Sequence, residues 1–194
     1  MRFMIASLSL LMQLSVGVPN LLAQPVETTV SQADIALQRA LDHYHAGKLN
    51  EAAGLLRGFV VSHADSGLVD QAYFYLASIH DDLEDHATAI SYLDKMSEEA
   101  QSPSTLLLQS KLFLQMGDAI RAVDQLIQLD TQEWTLQERQ ERYLVLAEGL
   151  TTLEEPQKAL YFYQQALIVE GKETPRDVLT RIYTLLSDRF SEAD

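Results

Sequence analysis

Residues 153–170 read LEEPQKALYFYQQALIVE, and the alanine at position 159 belongs to a pattern that recurs along the chain. An alanine holds the same offset in three other stretches: residues 47–56 (GKLNEAAGLL), 84–93 (EDHATAISYL) and 117–126 (GDAIRAVDQL). The four alanines are Ala52, Ala89, Ala122 and Ala159, separated by 37, 33 and 37 residues. A period of this length is the sequence signature of a repeat architecture.

A second set of small residues precedes the first by twelve positions and consists of Ala40, Ala77, Ser110 and Ala147. Where two antiparallel helices cross closely, a bulky side chain would push them apart, so the crossing requires small residues. Larger residues stand four positions after the repeat alanines: Leu56, Leu93, Leu126 and Tyr163. The pattern predicts an all-α fold, a solenoid of antiparallel helix pairs.

Glycine and proline mark the helix boundaries, with breaks at 46–47, 65–67, 102–103, 116–117, 155–156 and 174–175. Ser102 and Thr174 are expected to cap helices, because a proline follows each of them at the first helical position. The segment from Pro175 to Phe190 is interpreted as a terminal cap that follows eight repeat helices. Its predicted apolar face holds Leu179, Ile182, Tyr183, Leu186 and Phe190.

This arrangement resembles the tetratricopeptide repeat (TPR), a helix–turn–helix unit of about 34 residues. Residues 153–170 and 114–130 (LQMGDAIRAVDQLIQLD) resemble it most, since the small residue, the turn and the alanine follow in the family's order. The resemblance covers about residues 31–170. It implies a right-handed solenoid of about four repeats with a C-terminal capping helix.

The sequence departs from the TPR pattern in several places. Arg39 and Gln109 stand where leucine is usual, the proline that often closes a repeat is absent, and two repeats carry three extra residues. Spacers at 62–67 (SHADSG) and 130–136 (DTQEWTL) can absorb these extra residues. Residues 59–80 are similar to repeats of exported bacterial cell-envelope proteins.

The first 23 residues have the pattern of a secretory signal peptide. The apolar run from Phe3 to Val18 is shorter than the roughly 20 residues of a membrane span. We expect cleavage after Ala23, and retention of the segment as an anchor is the alternative. The chain then divides into a flexible lead (24–30), a repeat domain (31–190) and a tail (191–194). The mature protein is expected to be exported to the periplasm or the medium, without a membrane span.

The composition argues against several functional classes. The chain carries 14 lysines and arginines against 28 aspartates and glutamates, a formal charge of −14. Such a surface repels nucleic acid and anionic membranes. The absence of cysteine excludes disulfides, thiol catalysis and thiolate metal sites. Because phosphate-binding loops and hydrolase motifs are also absent from the sequence, we expect no enzymatic activity and no cofactor.

The stretch HDDLEDH, which begins at His80, is the most metal-like segment of the sequence. In the repeat register Asp81 and Asp82 end one helix, and Asp85 begins the next, where the helix dipole favours a carboxylate. A calcium loop would need a central glycine and a later glutamate, and zinc would need His80 and His86 to converge from opposite sides of a turn. We interpret the stretch as an interhelical turn, with metal binding as the alternative.

The TPR resemblance implies a concave groove lined by the first helix of each repeat. By register, its residues are Leu37, Leu41, Tyr44, Phe74, Asp81, Asp82, Leu107, Lys111, Leu114, Leu144 and Glu148. Apolar side chains on such a face indicate a docking surface for a peptide or protein segment. The alternative is that the array buries them itself, or that the N-terminal lead covers them. The acidic rim favours a partner with lysine or arginine beside apolar anchors.

The sequence therefore predicts a non-catalytic protein–protein interaction scaffold of the bacterial cell envelope. The alternative is a structural subunit of an envelope machine for secretion, polysaccharide export or outer-membrane assembly. Such a subunit would dock through its convex face and its ends. An enzyme or a metal-binding protein is a third hypothesis.

Overall fold

The computed structural model describes residues 31–129, 133–169 and 176–191. These residues form nine α-helices and a 3₁₀ turn, and no strand. The helices are α1 (Gln32–His45), α2 (Leu49–Ser62), α3 (Val69–Asp82), α4 (His86–Leu93), α5 (Pro103–Gln115), α6 (Ala119–Ile127), α7 (Leu136–Thr152), α8 (Pro156–Ile168) and α9 (Arg176–Ser191), and the 3₁₀ turn is Glu98–Ala100. The predicted signal peptide, the lead, the Thr174 cap and residues 192–194 lie outside the described residues.

Each helix packs against the next one in the chain, so α1–α2, α3–α4, α5–α6 and α7–α8 form four helical hairpins and α9 rests on α8. Among the first helices of the hairpins, α5 also contacts α3 and, more extensively, α7. Stacked hairpins that contact only their neighbours define a helical-repeat solenoid. The predicted all-α fold class is confirmed.

The small residues of both registers lie where the helices pack. Their exposed fraction is 0% at all eight positions: Ala40, Ala52, Ala77, Ala89, Ser110, Ala122, Ala147 and Ala159. The larger residues four positions after the repeat alanines are buried as well: Leu56, Leu93, Leu126 and Tyr163. The period in the sequence is therefore the packing period of the solenoid.

The turn inside each hairpin contains one residue with a positive φ angle. These residues are Gly47 (72°), Glu84 (60°), Gly117 (81°) and Glu154 (58°). In the third hairpin the N–H of Asp118 donates to the carbonyl of Phe113 at 2.8 Å, the hydrogen bond of a Schellman motif. A left-handed conformation costs a residue with a side chain roughly 1–2 kcal/mol. The two glutamates adopt it nonetheless, so helix packing imposes the turn geometry.

Gly117→Ala is expected to lower the free energy of unfolding by about 1 kcal/mol, because alanine is strained at this φ angle although its Cβ would meet nothing within 4 Å. The matched control is Gly67→Ala, where the Cβ also has free space and φ is not in the left-handed region. This control should leave stability unchanged or raise it slightly. Urea denaturation followed by circular dichroism measures both variants, and equal effects would contradict the assigned turn.

Capping boxes begin α1 and α7. The hydroxyl of Ser31 accepts a hydrogen bond from the N–H of Asp34 at 3.1 Å, and the carboxylate of Asp34 accepts one from the N–H of Ser31 at 2.9 Å. Thr135 and Glu138 repeat the arrangement at the start of α7. These reciprocal bonds satisfy amide donors that a helix start leaves free.

Single side chains cap α4, α5 and α6. Asp85 and Asp118 each accept a hydrogen bond from the N–H three residues later, at 3.3 and 3.1 Å. At the start of α5 the hydroxyl of Ser102 accepts one from the N–H of Thr105 at 3.2 Å. The Ser102 cap, with proline at the first helical position, was predicted from the sequence and is confirmed.

Stability is expected to decrease as the pH falls below about 4, near the ordinary carboxyl pKa. Hydrogen bonds to the capping partners lower the pKa of four carboxyl groups: Asp34 (with Ser31), Asp85 (with Thr88), Asp118 (with Arg121) and Glu138 (with Thr135). A carboxyl group whose pKa is lower in the folded state stabilises the fold above its unfolded pKa, and this contribution is lost as the pH falls through the folded pKa.

Thermal unfolding between about pH 6 and pH 2.5 measures this dependence. The double variant Asp34→Asn, Glu138→Gln should show a shallower decrease than the parent protein, because the substituted amides do not titrate. An unfolding midpoint that stays constant down to pH 3 would be inconsistent with this account.

Trp134, which precedes α7 in the predicted spacer, is part of the core. Trp134 is buried in one cluster with Leu107 and Val178. Arg142 is also buried, and its guanidinium donates to the carbonyls of Leu126 and Ile127 at 2.9 and 3.0 Å, at the C-terminus of α6. A cation at this helix end satisfies free carbonyls. Burial lowers the pKa of Arg142.

The predicted apolar face of the capping helix is wrong in part: Ile182 packs on the core, Leu179 and Tyr183 do not, and the side chains of Leu186 and Phe190 lie outside the described residues. Val178 is buried against the core, and Ile182 and Leu185 pack on it, whereas Leu179 is exposed and Tyr183 has an exposed fraction of 72%. The sequence of α9 contains two apolar stripes about one position apart, and helical periodicity alone does not distinguish them. Contact with α8 selects the stripe that begins at Val178.

Candidate functional site: the cleft between α5 and α7

The first helices of the third and fourth hairpins enclose a cleft of about 630 Å³. Its lining consists of Lys111, Leu114, Gln115, Gln137, Gln140, Glu141, Leu144, Val145, Glu148 and Thr152. The α5 residues stand at positions 111, 114 and 115, and the α7 residues at 137, 140, 141, 144, 145, 148 and 152, which is the i, i+3, i+4 spacing of one helical face. Each helix therefore presents one face to the cleft.

Four of the eleven predicted groove residues line this cleft: Lys111, Leu114, Leu144 and Glu148. They come from α5 and α7, two helices that are more than 20 residues apart in sequence and contact each other. Leu114 and Leu144 are half-buried, so each presents apolar surface without being enclosed. The structure thus brings together the C-terminal part of the predicted groove.

Three other predicted groove residues do not lie on an accessible surface. Leu37, Leu41 and Leu107 are buried, with exposed fractions of at most 8%. Leu37 and Leu41 belong to the core cluster of the first hairpin, and Leu107 belongs to that of the last two hairpins. The array buries these leucines itself, as the alternative interpretation of the sequence had it.

Tyr44, Asp81 and Asp82 form a separate patch at the ends of α1 and α3. Burial raises the pKa of the Tyr44 phenol, and the neighbouring carboxylate of Asp82, which accepts its hydrogen bond, raises it further. The Tyr44 ring also meets the ring of Tyr75 edge to face, with centroids 5.5 Å apart. This patch is acidic and lies apart from the residues that line the α5–α7 cleft.

Phe74 lies in a third place, a shallow depression of about 310 Å³ between α3, the 3₁₀ turn and the start of α5. Met96 and Thr105 are among the other residues that line it. Phe74 also packs on the core cluster around Leu112. The predicted groove is therefore divided among a cleft, an acidic patch and a depression.

Two ion pairs connect α7 to the helices on either side of it. Glu141 pairs with Lys111 of α5, and Glu148 pairs with Arg181 of α9 at 3.4 Å. The Arg181 guanidinium also donates to the hydroxyl of Tyr163 at 3.4 Å. This hydrogen bond is the largest of the effects that raise the pKa of Arg181. All four charged side chains stay partly exposed.

A second cleft, of about 450 Å³, lies where α7, α8 and α9 meet. It is lined by Glu148, Thr151, Thr152, Tyr163, Thr180, Arg181, Thr184 and Leu185. The threonine hydroxyls donate to backbone carbonyls of their own helices, as Thr151 does to Ala147 at 2.8 Å. The other polar groups of this cleft are those of Arg181, Glu148 and Tyr163, and Arg181 pairs with both of the others.

The sequence interpretation missed several residues of the cleft, among them Gln137, Gln140, Glu141 and Thr152. Their signal was present in the sequence, because they stand four or seven positions from Leu144 or Glu148 on the same helix. The prediction used only positions that match between repeats. The N-terminal half of α7, a helix of 17 residues, extends beyond that match.

The HDDLEDH stretch is an interhelical turn with two crossed histidine–carboxylate pairs. His80 lies 3.2 Å from Asp85, and His86 lies 3.3 Å from Asp81. The hydrogen bond from Thr88 lowers the pKa of Asp85, which caps α4. In the part of the chain that the structure describes, no three histidine, aspartate or glutamate side chains are grouped so that they could hold a metal ion.

The helices α6 and α8 also carry exposed apolar side chains, on a face that we call the outer face. Ile120 and Ile127 lie seven positions apart on α6, and Tyr161 and Ile168 lie seven positions apart on α8. By helical period all four point away from the repeat alanines of their helices. Among the described helices, none combines the length and the hydrophobicity of a membrane span.

The chain matches no protein-family model, and it matches none of the curated proteins. It is similar in structure to a protein characterised as Pseudomonas aeruginosa PilF, with a TM-score of 0.68 and 14% identity over 82% of this chain and 69% of that one. A chain of the APC/C hetero-tetramer Cut9–Hcn1 gives a TM-score of 0.64 and 18% identity over 79% of this chain.

The Cut9–Hcn1 match covers only 29% of that chain. A MamA RS-1 double mutant gives a TM-score of 0.61 and 14% identity over 84% of this chain and 97% of the other. These structures are TPR-type solenoids, so the TPR-like fold is confirmed. At such low identities the similarity concerns the fold alone.

Proposed function

We propose that this protein is a non-catalytic interaction scaffold of the bacterial cell envelope that docks a protein or peptide segment in the α5–α7 cleft. The fold supports the first part, because TPR-type solenoids are generally interaction scaffolds. The signal-peptide pattern of residues 1–23 supports export to the periplasm or the medium.

The observation that carries this proposal is the composition of the cleft. Leu114 and Leu144 offer apolar anchors from two different helices, and glutamines and paired charges surround them. A binding surface with an apolar centre and a polar rim is typical of protein interfaces. The cleft is concave, and its volume of about 630 Å³ falls within the range of about 300–1,000 Å³ that is common for ligand sites.

Docking in this cleft needs no chemical step. An apolar side chain of the partner would displace water from Leu114 and Leu144, and each Å² of apolar surface buried contributes roughly 25 cal/mol. The polar rim would orient the segment through hydrogen bonds. With a formal charge of −14, the chain attracts partners with lysine or arginine beside such anchors.

Capture of partners from an envelope extract tests the proposal, with three baits compared. The first bait is the parent protein, the second carries Leu114→Ser and Leu144→Ser, and the third carries Ile120→Ser and Tyr161→Ser on the outer face. Circular dichroism first establishes that all three are equally helical. We expect one protein to bind the parent and the outer-face variant but not the cleft variant. Binding that survives the cleft substitutions would refute docking at this site.

The exposed side chains on α6 and α8 favour a second candidate function. Contiguous exposed apolar patches mark interaction sites, and Ile120, Ile127, Tyr161 and Ile168 supply exposed apolar side chains from which such a patch can be built. Under this hypothesis the protein is a structural subunit of an envelope secretion, polysaccharide-export or outer-membrane assembly machine. The same three baits distinguish the two functions, because a structural subunit would lose its partner with the outer-face variant.

A further inference from the structure

The α5–α7 cleft continues into the cleft beside α9. Both are lined by Glu148 and Thr152, so they meet along one side of α7. Together they form a groove, which we call the α7 groove, that runs from Lys111 on α5 to Arg181 on α9. One stripe of α7 therefore forms the wall of a continuous path for a ligand.

The α7 groove has two carboxylates on its wall and a cation at each end. Glu141 is neutralised by Lys111, and Glu148 is neutralised by Arg181. All four side chains are between one-third and about one-half exposed. Ion pairs with this exposure contribute only about 0–1 kcal/mol, because water and salt screen them. A cation from outside can therefore replace Lys111 or Arg181 at little cost.

The two carboxylates have a defined spacing. Glu141 and Glu148 are seven residues apart on one helix, which corresponds to about 10.5 Å along its axis. Leu144 lies between them on the same face. In a polyproline II segment, residues i and i+3 point the same way and lie about 9.3 Å apart. Two basic side chains at i and i+3 of such a segment thus match the two carboxylates.

An extended chain fits the path of the α7 groove. The two clefts follow each other along α7, and an extended chain is narrower than a helix about 10 Å in diameter. It can pass through both clefts in turn, with its side chains i and i+3 over the two carboxylates.

We propose that the α7 groove binds an extended, polyproline-II-like segment of a partner protein. The segment carries lysine or arginine at positions i and i+3, with an apolar residue between them that packs on Leu144. Its basic side chains take the places of Lys111 on Glu141 and of Arg181 on Glu148. This inference rests on the proposed function and names the chemistry of the docked segment.

Lys111 and Arg181 are then internal competitors of the ligand. Removing either side chain frees a carboxylate, so it should strengthen binding of a basic segment. A purely structural role for these ion pairs predicts no gain in affinity. A gain in affinity would therefore support competition by Lys111 and Arg181, whereas damage to the structure of the groove would lower the affinity.

Fluorescence anisotropy with defined peptides tests the proposal on the purified protein. The probe is a labelled peptide of sequence Ala-Lys-Leu-Pro-Lys-Ala with blocked termini, and its controls carry two glutamates in place of the lysines, or two adjacent lysines. We expect the parent protein to bind the probe at least tenfold more tightly than the glutamate peptide. It should also bind the probe at least threefold more tightly than the peptide with adjacent lysines.

Substitutions on the wall and at the ends should act in opposite directions. Glu141→Gln and Glu148→Gln should each weaken binding of the probe at least threefold, and Lys111→Ala and Arg181→Gln should each strengthen it at least twofold. Glutamine at position 181 keeps a donor for Tyr163, which guards against loss of folding. The control is Asp124→Asn, which removes an exposed carboxylate on α6 and should leave affinity unchanged.

Three results would overturn the inference: no binding of the probe to any variant, equal binding of the glutamate peptide, or weaker binding after Lys111→Ala. The bait experiment above tests the proposed function separately. If the cleft substitutions abolish capture of a partner while the basic probe does not bind, the scaffold function stands and the basic-segment inference is rejected.

Discussion

Replacing Leu126 with alanine is expected to lower the free energy of unfolding by about 2–5 kcal/mol. Leu126 is completely buried in the cluster that also contains Val123, Leu146 and Tyr163. Removing its side chain forfeits the transfer energy and leaves a cavity between helices of the third and fourth hairpins. Each repeat contacts only its neighbours, so the other repeats cannot compensate for the contacts that are lost here.

The matched control is Ile120→Ala on the same helix. Ile120 is exposed, so its truncation should change stability by no more than about 0.5 kcal/mol. Chemical denaturation followed by circular dichroism measures both variants against the parent protein. Equal losses at the two positions would contradict the assignment of the buried face of α6.

Enlarging a repeat alanine is expected to destabilise the fold by a different route. Ala159→Leu should cost about 1–3 kcal/mol, because the added atoms have no space where α8 packs against α7. Ala159 has no exposed surface, and it shares its core cluster with Ala147, the small residue twelve positions earlier. Neighbouring side chains would have to leave their preferred rotamers, or the helices would have to separate.

The control for this substitution is Ala64→Leu, at an exposed position between α2 and α3 that belongs to neither register. It should be nearly neutral, since a leucine there extends into solvent. Denaturation midpoints of the two variants provide the measurement. If both alanines tolerated leucine equally well, the small residues would not mark the helix crossings.

The fold could be predicted because the residues that determine it recur periodically along the sequence. Close helix contacts require small residues, and these recur at fixed offsets that a single sequence displays. Helix ends were also readable where they depend on local chemistry, as at Ser102. The turns at Glu84 and Glu154 could not be assigned a positive φ angle in this way. There the packing of the two helices overrides the preference of the residue for φ.

The groove residues were predictable only in part, because the repeat register gives the position of a residue along its helix but not how deeply its side chain is buried. Lys111 and Leu114 remain accessible, whereas Leu107, one turn earlier on the same helix, is covered by the core of the last two hairpins. Contacts between distant segments decide such differences. The buried Arg142, which caps α6 from α7, likewise has no counterpart in the repeat pattern.

In the capping helix too, the sequence pattern alone does not determine which residues are buried. Its two apolar stripes satisfy helical spacing equally, and only the contact with α8 buries Val178 instead of Leu179. Tyr183 is left exposed at the end of the solenoid. A terminal helix usually presents a polar outer face. The exposed side chains of Leu179 and Tyr183 therefore depart from the expected composition of a capping helix.

Photo-crosslinking from single cysteines tests the central claim, docking in the α5–α7 cleft, most directly. The chain contains no cysteine, so Leu144→Cys and Ile120→Cys each introduce a unique site for a thiol-reactive benzophenone. One site lies in the cleft and the other on the outer face. After illumination in an envelope extract, we predict a crosslinked partner from position 144 and none from position 120. A partner crosslinked from position 120 alone would contradict the claim and favour the structural-subunit function.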